Sequence, residues 1–301
     1  MENQKVTIII PNWNGRGFLP DCLESLSKID WLNYEVVVVD NGSTDGSIAF
    51  IRQNHPDTIL IENQKNLGFA AACNQGIKWA FEHSADFILL LNNDTVVGPD
   101  FLTRMMGVFR ELRIGIVGAK IYYYNQPNKI WFAGGKFVWW RASGKNFYWQ
   151  KMDRPELTGI RLCDFVTGCA MLIKKEIFGD IGYFYEPYFL NVEDLDFCWR
   201  AKKAGWKIVV NLDAKIWHKV GASHFGEFSF INNYYGVRNR LYFAFKRSSN
   251  FLGGLVLLLF VVPARIIQGT LMGRFAMIRG MIFGCLDFFR GKMGRNDSLV
   301  K

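Results

Sequence analysis

"FILLLNNDTVVGPDF", residues 87–101, runs five apolar side chains straight into Asn92-Asn93-Asp94. A run so short and so continuously apolar reads as a strand buried on both faces. Its end on two amides and a carboxylate admits two readings: a turn, since Asn and Asp favour strand ends, or a metal site at the mouth of a sheet. Three earlier segments repeat the pattern. "KVTIIIP" (5–11), "YEVVVVD" (34–40) and "DTILIEN" (57–63) are short apolar runs that end in a loop or on polar residues. Between them, apolar residues recur at three- and four-residue spacing: Phe18, Cys22, Leu26 and Ile29, then Phe69, Cys73, Ile77, Ala80 and Phe81. Strand alternating with helix predicts βαβ units and an α/β fold with a mostly parallel, open, doubly wound sheet. Ligands of such sheets bind beyond the carboxyl ends of the strands. That rule brings Pro11-Asn12-Trp13-Asn14, Asp40-Asn41-Gly42 and Asn92-Asn93-Asp94 to one crevice. One polar tip alone is a turn; three on one edge predict a site.

The chain has 301 residues, half of them hydrophobic and 16% aromatic, so it can bury a substantial core and disorder is not expected. None of the six cysteines sits in a C-x-x-C pair, and Cys163 and Cys169 have no histidine at zinc-ligand spacing, so they read as buried free thiols. "MENQKVTIII" lacks the layout of a signal peptide, which predicts a reducing, cytosolic setting. In "NWNGRGFLP", Pro20 stands where a dinucleotide fingerprint needs its third glycine. The P-loop and G-x-S-x-G patterns are also absent, which excludes P-loop kinases and ordinary α/β-hydrolases.

From Gly115 to about Ile173 the chain reads as short strands and aromatic loops. Trp139, Trp140 and Trp149 there could stack on sugar faces or pack in the core. "NVEDLDFCWRAKKAGWKIVV" (191–210) reads as a short helix, a glycine stop and a strand. Glu193 and Asp194 fall in its first turn, where the helix dipole favours negative charge. The net charge of +9 is unevenly placed: from Arg238 onward eleven Lys/Arg meet two Asp/Glu, so the whole excess lies in the last 64 residues. "FLGGLVLLLFVV" (251–262) has no charge but is shorter than the about 20 residues of a bilayer span. Arginines interrupt the apolar residues that follow. This predicts an amphipathic helical extension lying in a membrane interface, with packing on the protein's own core or on a second subunit as the alternative. No nucleic-acid module accompanies the basic stretch, so nucleic acid is not an expected partner.

Asp40, at a strand tip, could accept hydrogen bonds from a nucleobase or a ribose. Asp45 in "NGSTDGS" reads instead as serving the helix that starts there. Asp94 suits Mg²⁺ or Mn²⁺, which one or two carboxylates plus substrate phosphate oxygens commonly hold. Such an ion stabilises a departing nucleoside diphosphate as a Lewis acid.

Five blocks, "VTIIIPNWNG", "VVVVDNGSTDGS", "NLGFAAACNQGI", "LLLNNDTVVGPDFL" and "NVEDLDFCWRAKKAGWKI", together resemble the inverting glycosyltransferases of family 2, which have the GT-A fold. The resemblance covers roughly residues 5–245. "WHKVGASHFG" and "YYGVRNRLYF" resemble the rhamnosyltransferase-like subgroup that builds surface polysaccharide. It implies a GT-A domain over 1–245, with 246–301 as the basic, apolar, membrane-associating tail. It also implies roles: Asp40 on the nucleotide base; Pro11, Asn12, Asn14, Gly68, Asn74, Asn92 and Asn93 in the nucleotide-sugar site; Asp94 and His218 on a Mn²⁺ or Mg²⁺ ion. Glu193 and Asp194 match the family's acidic pair, with Asp194 as general base. Asn92 departs from the family's Asp-x-Asp pattern and removes one charge from the metal site. The implied partners are a nucleotide-sugar donor, with dTDP-rhamnose as first choice, and a glycan acceptor, lipid-linked, at the inner face of the cell membrane; a homodimer is possible. Rival readings are a polyprenyl-phosphate glycosyltransferase, a sugar nucleotidyltransferase, and a non-catalytic sugar-binding protein on the same fold.

Overall fold

The computed structural model describes residues 4–110, 113–219, 226 and 228–297. Its first half is the expected alternation: β1 (Val6–Asn12), α1 (Leu19–Leu26), β2 (Tyr34–Asp40), α2 (Ser47–Asn54), β3 (Ile59–Glu62), α3 (Phe69–Glu82) and β4 (Phe87–Leu91). Then come β5 (Thr95–Val97), α4 (Phe101–Met106), β6 (Ile114–Tyr123), β7 (Gln126–Phe132), β8 (Gly135–Val138), β9 (Ser143–Asn146), β10 (Ile160–Cys163) and β11 (Ala170–Lys174). They are followed by α5 (Glu176–Ile181), α6 (Glu193–Lys203), β12 (Lys207–His218) and α7 (Phe230–Tyr242).

The main sheet runs β10-β12-β6-β11-β4-β1-β2-β3. Strands β1 to β4 are mutually parallel, and helices cover them, so β4 is buried along its whole length. β11 enters antiparallel between β4 and β6, and β12 runs parallel to β6. The largely parallel α/β sheet thus carries an antiparallel insertion that the four apolar runs gave no reason to expect. β6 is also a ten-residue strand, longer than the short strands expected of this region. α6 ends before Gly205, whose φ of 87° turns the chain into β12. The cysteines are free thiols, five of them buried.

The tail departs from expectation in two ways. The helix that begins at Phe251 does not stop at Pro263; it runs unbroken for 21 residues, Phe251–Leu271, at a mean hydropathy of 2.1. The i−4 carbonyl that a proline ring meets is displaced here by a π-turn over Leu257–Val261, so the helix absorbs the proline. By length and composition this helix is long enough to cross a bilayer, contrary to the count made on residues 251–262. Second, much of the basic excess is spent inside the protein. Buried Arg238 donates to the carbonyls of Gly294, Pro187 and Tyr188, and Arg240 to those of Arg141 and Ala142. Arg247 pairs with the fully buried Asp196, and Arg295 donates to Asn66 O. The final helix, Phe275–Phe289, packs along α7; a methyl on Gly284 would lie 2.5 Å from Tyr234 O, so glycine permits the close approach. The remaining surface mixes exposed basic residues, Arg265, Arg279 and Arg290 among them, with apolar ones: Phe251, Leu252, Leu259, Phe260, Ile267, Leu271, Phe275 and Phe289 are each more than half exposed. Trp139, Trp140 and Trp149 are also exposed, so none is a core residue.

Candidate active site

Parallel register aligns Asn12 with Asp40 at the tips of β1 and β2. The Asn12 amide donates to Asp40 Oδ2 (2.7 Å), and its Oδ1 accepts from Asn93 Nδ2 (2.7 Å). Three strand tips are therefore laced together by one buried asparagine. Gly15 leaves room for this: a methyl there would sit 2.2 Å from both Asn12 Oδ1 and Asn93 Nδ2. Asn14, with a left-handed φ of 50°, accepts from Thr44 N and ties the first loop to the second. Asp45 accepts from Arg16 N and from Ser47, serving the α2 turn as expected.

A cleft of about 810 Å³ opens above these tips. Of the residues singled out in the sequence, Pro11, Asn12, Gly68, Asn92, Asn93 and Asp94 line it. Asp40 does not. It is fully buried, with Oδ1 taken by Ser43 N and Oδ2 by Asn12, and its neighbour Asn41 forms the wall instead. Asn74 does not line it either. It is a staple, donating to Phe184 O and Glu186 Oε1 while accepting from Phe184 N. Asn14 likewise holds loops together behind the wall. The sequence reading passed over Phe18, Asn66, Phe69, Phe189 and Leu190, which also line the cleft. Asn66 and Phe69 fall inside the NLGFAAACNQGI block, beside the expected Gly68; Phe189 and Leu190 carry no signal in the sequence. Gly68, at φ 93°, admits Phe189: a methyl there would lie 2.6 Å from its ring and its carbonyl oxygen. Phe69 N then bonds Phe189 O at 2.8 Å.

β5 folds back antiparallel on β12, which sets His218 opposite Thr95 and beside Asp94. His218 Nε2 lies 3.0 Å from Asp94 Oδ1, yet Asp94 Oδ1 is buried without a hydrogen-bond partner, as is His218 Nδ1. A carboxylate oxygen and the Nε2 of an imidazole thus converge, a pair of ligand types that fits a divalent cation, while the unpartnered Nδ1 is the ring's other nitrogen. Carboxylate and imidazole both suit Mn²⁺, while Mg²⁺ favours the oxygen donors. Among the described residues no group of three or more His, Cys, Asp or Glu forms a metal cluster, so phosphate oxygens or water would have to complete the shell. Part of the "WHKVGASHFG" stretch, residues 220–225, lies outside the described residues.

The two residues before β11 link the Asn92 tip to the acidic pair. Cys169 O accepts from Asn92 N, and one residue earlier Gly168 N donates to Asp194 Oδ2 (3.1 Å). Asp194 Oδ1 accepts from Leu195 N (2.7 Å). A methyl on Gly168 would lie 3.0 Å from the Phe69 ring and 3.9 Å from Asp194 Cβ, so Gly168 stands between Asp194 and a residue of the cleft wall; Glu193, Asp194 and His218 do not themselves line the cleft. Glu193 is buried and its Oε2 has no partner. Burial, then the Asp194 carboxylate, push Glu193 far above the usual carboxylate range. Burial also raises Asp194, while the N–H donors of Gly168 and Leu195 oppose it and favour its ionised form. The two acids are unlike in their partners: Asp194 receives two N–H donors that favour its ionised form, whereas Glu193 Oε2 has none. The third acid of the stretch, Asp196, is structural, bound by Arg200 and Arg247.

Residues 7–182, more than half of the chain, match the family model for glycosyl transferase family 2. The chain belongs to this family. It is a glycosyltransferase. It is 28% identical over 217 residues to an N-acetylglucosaminyl-diphospho-decaprenol L-rhamnosyltransferase of Mycobacterium tuberculosis, a match covering 65% of this chain and 70% of that protein. Solved structures share the fold. A mannosyltransferase of Pyrobaculum calidifontis, in complex with GDP-Man and Mn²⁺, superposes with a TM-score of 0.62 at 16% identity over 96% of this chain and 88% of its own. GalNAc-T7, with UDP, GalNAc and Mn²⁺, gives 0.62 at 14% identity over 80% of this chain and 47% of its own. The GT-A architecture expected from the five blocks is thus present.

Proposed function

We propose that this family 2 enzyme transfers a sugar from a nucleoside-diphosphate donor to a hydroxyl of a lipid-linked glycan, by a single displacement that inverts the anomeric centre. The observations that support this reading are the contact of His218 Nε2 with Asp94 Oδ1 beside a cleft that Asp94 lines, and the N–H-bound carboxylate of Asp194, which Gly168-Cys169 ties to the Asn92 tip. The nucleotide lies in the cleft between Pro11, Asn41 and Gly68, with Trp13, Phe18 and Phe189 offering apolar faces. Asp40 acts from behind by fixing Asn12. Asp194 takes the proton of the acceptor hydroxyl as its oxygen attacks the anomeric carbon. The bond to the diphosphate oxygen breaks on the opposite side, and one catalytic carboxylate suffices. Glu193 keeps its proton and limits the negative charge beside Asp194. Asp94 and His218 would hold Mn²⁺ or Mg²⁺, which when bound supplies Lewis-acid stabilisation to the leaving diphosphate.

Rhamnose is supported by the mycobacterial relative's name alone; the two solved neighbours carry different sugars on different bases. A lipid-linked acceptor in cell-surface polysaccharide synthesis is supported by the same relative and by the exposed apolar tail, which would meet the inner face of the cell membrane. The test is a thermal-shift and donor-hydrolysis screen against UDP-, dTDP- and GDP-sugars with and without Mn²⁺, on wild type and Asp94→Ala. One nucleotide should stabilise the wild type only with metal, and Asp94→Ala should lose that response. A metal response that survives in Asp94→Ala removes Asp94 from the site.

A further inference from the structure

A second cavity, of about 770 Å³, lies between α7 and the tail helix. It shares a wall with the donor cleft. Phe189 and Leu190 face the cleft, the next two residues, Asn191 and Val192, line the second cavity, and Glu193-Asp194 follow at once. A molecule held here lies across a single loop from the donor, with the acidic pair at the junction.

The cavity has two chemistries. Part of the lining is cationic: Arg240 and Arg265 contribute to it, and Arg141 lies beside Arg240. Arg240 spends two donors on the carbonyls of Arg141 and Ala142. Burial, with the charges of Arg265 and Arg141, lowers it to about 10. Among the described residues, no carboxylate forms an ion pair with any of these three arginines. Arg200 and Arg247 on the neighbouring surface, by contrast, both meet Asp196. Clustered guanidiniums without a counter-charge are unfavourable until an anion arrives, and guanidinium matches phosphate oxygens in geometry. The rest of the lining includes apolar residues, Leu257, Val261 and Met281, and Arg265 follows Leu257 and Val261 at four-residue spacing on the same helix. Leu257 and Val261 belong to the helix whose Leu259, Phe260 and Ile267 are exposed.

We propose that this cavity binds the phosphate or diphosphate head of a prenyl-type lipid, the carrier of the acceptor glycan, with Arg240 and Arg265 on the head and the apolar residues on the start of the chain. This rests on the glycosyl-transfer reading and adds an acceptor site to it. The head seats in the cavity, the chain leaves along the tail helix, and the glycan reaches round the Phe189–Val192 loop to Asp194.

The probe is farnesyl diphosphate, titrated calorimetrically into the full-length protein in EDTA, so that it cannot enter the metal site. Inorganic pyrophosphate and farnesol are titrated alongside. Farnesyl diphosphate should bind more tightly than either. Arg265→Gln, an exposed position, should weaken it by about tenfold or more, the worth of a charge-assisted contact. Arg240→Gln should do the same, and both should keep the metal-dependent donor response. Unchanged affinity in both variants overturns the site. So does pyrophosphate binding as tightly as farnesyl diphosphate, which makes it a free-phosphate site, or farnesol doing so, which removes the anion. If nucleotide sugars bind and farnesyl diphosphate does not, only the acceptor site falls; if no nucleotide sugar binds, the glycosyl-transfer reading itself has failed.

Discussion

The two walls of the cleft are built on different principles. The sheet wall, at the tips of β1, β2 and β4, is held by neighbours: Asn12 meets Asp40 and Asn93 across adjacent parallel strands, and Asn63 pairs with Gln75 behind Asn41. Its backbone follows from strand register, and its buried amides are satisfied locally. The helical wall, Phe189–Asp194, is held from a distance and under strain. Phe189, Asn191 and Val192 all have left-handed φ angles of 64°, 68° and 79°. For a β-branched valine that costs about 1–3 kcal/mol. The compensation comes from α7, where Asn239 Nδ2 donates to the carbonyls of Tyr188, Leu190 and Asn191, and where Arg238 joins Tyr188 O to Gly294 O. A preformed sheet wall suits donor binding. A strained, clamped wall suits a carboxylate that must be aimed.

The sharpest break of this comparison is at its catalytic end. Asp194→Asn keeps one of the two oxygens that accept from the Gly168 and Leu195 N–H groups and removes the base. Sugar transfer should fall by about 10²–10⁴-fold, while metal-dependent donor binding, measured by thermal shift, stays within about twofold. Lost donor binding would mean that Asp194 shapes the cleft. Transfer that survives would favour an acceptor already anionic, such as a polyprenyl phosphate, which needs no base.

A smaller effect separates the walls directly. Asn239→Ala takes this donor from the Leu190 and Asn191 carbonyls, while Tyr188 O keeps Arg238 and Leu190 N; the loss should cost about 1–3 kcal/mol in stability and lower kcat by about tenfold as Asp194 loses its aim. Asn63→Ala, on the sheet side, should act mainly on KM for the donor. If the two variants shift kcat and KM alike, the division of labour between walls is wrong.

The same division explains what the sequence could reveal. β1 to β4 and the Asn92-Asn93-Asp94 tip follow from local apolar runs and a general rule about strand ends, so the sheet wall was legible. Which carboxylate lines the cleft was not: Asp40 and Asp94 both follow runs of apolar residues, yet one is saturated by Asn12 and Ser43 and the other lines the cleft and meets His218. That difference depends on the partners each meets in space. The roles proposed for His218 at a metal and Asp194 as base rest on the family resemblance, since they lie 124 and 100 residues beyond Asp94. The helical wall was illegible because its positive φ angles and its clamp come from tertiary contacts, Gly294 N to Pro187 O among them. The tail misled for a related reason: counting charges could not tell that Arg238, Arg240, Arg247 and Arg295 turn inward.

The finest test addresses the proton on Glu193. Its raised pKa means that the folded state holds the proton more tightly than the unfolded chain does. Stability from this group is therefore complete below the ordinary glutamate range and is lost as pH rises, until the folded group ionises too at about 8. Each tenfold difference in proton affinity is worth about 1.4 kcal/mol. Glu193→Gln imitates the protonated form at every pH. Its melting temperature should match wild type near pH 4 and exceed it by several degrees near pH 8, with donor binding retained. A gap that does not change with pH would show that Glu193 does not titrate in this range. A variant less stable at high pH would show that Glu193 is ionised and usefully paired, which would reverse the roles assigned to the two acids and make the helical wall's buried charge the reactive one.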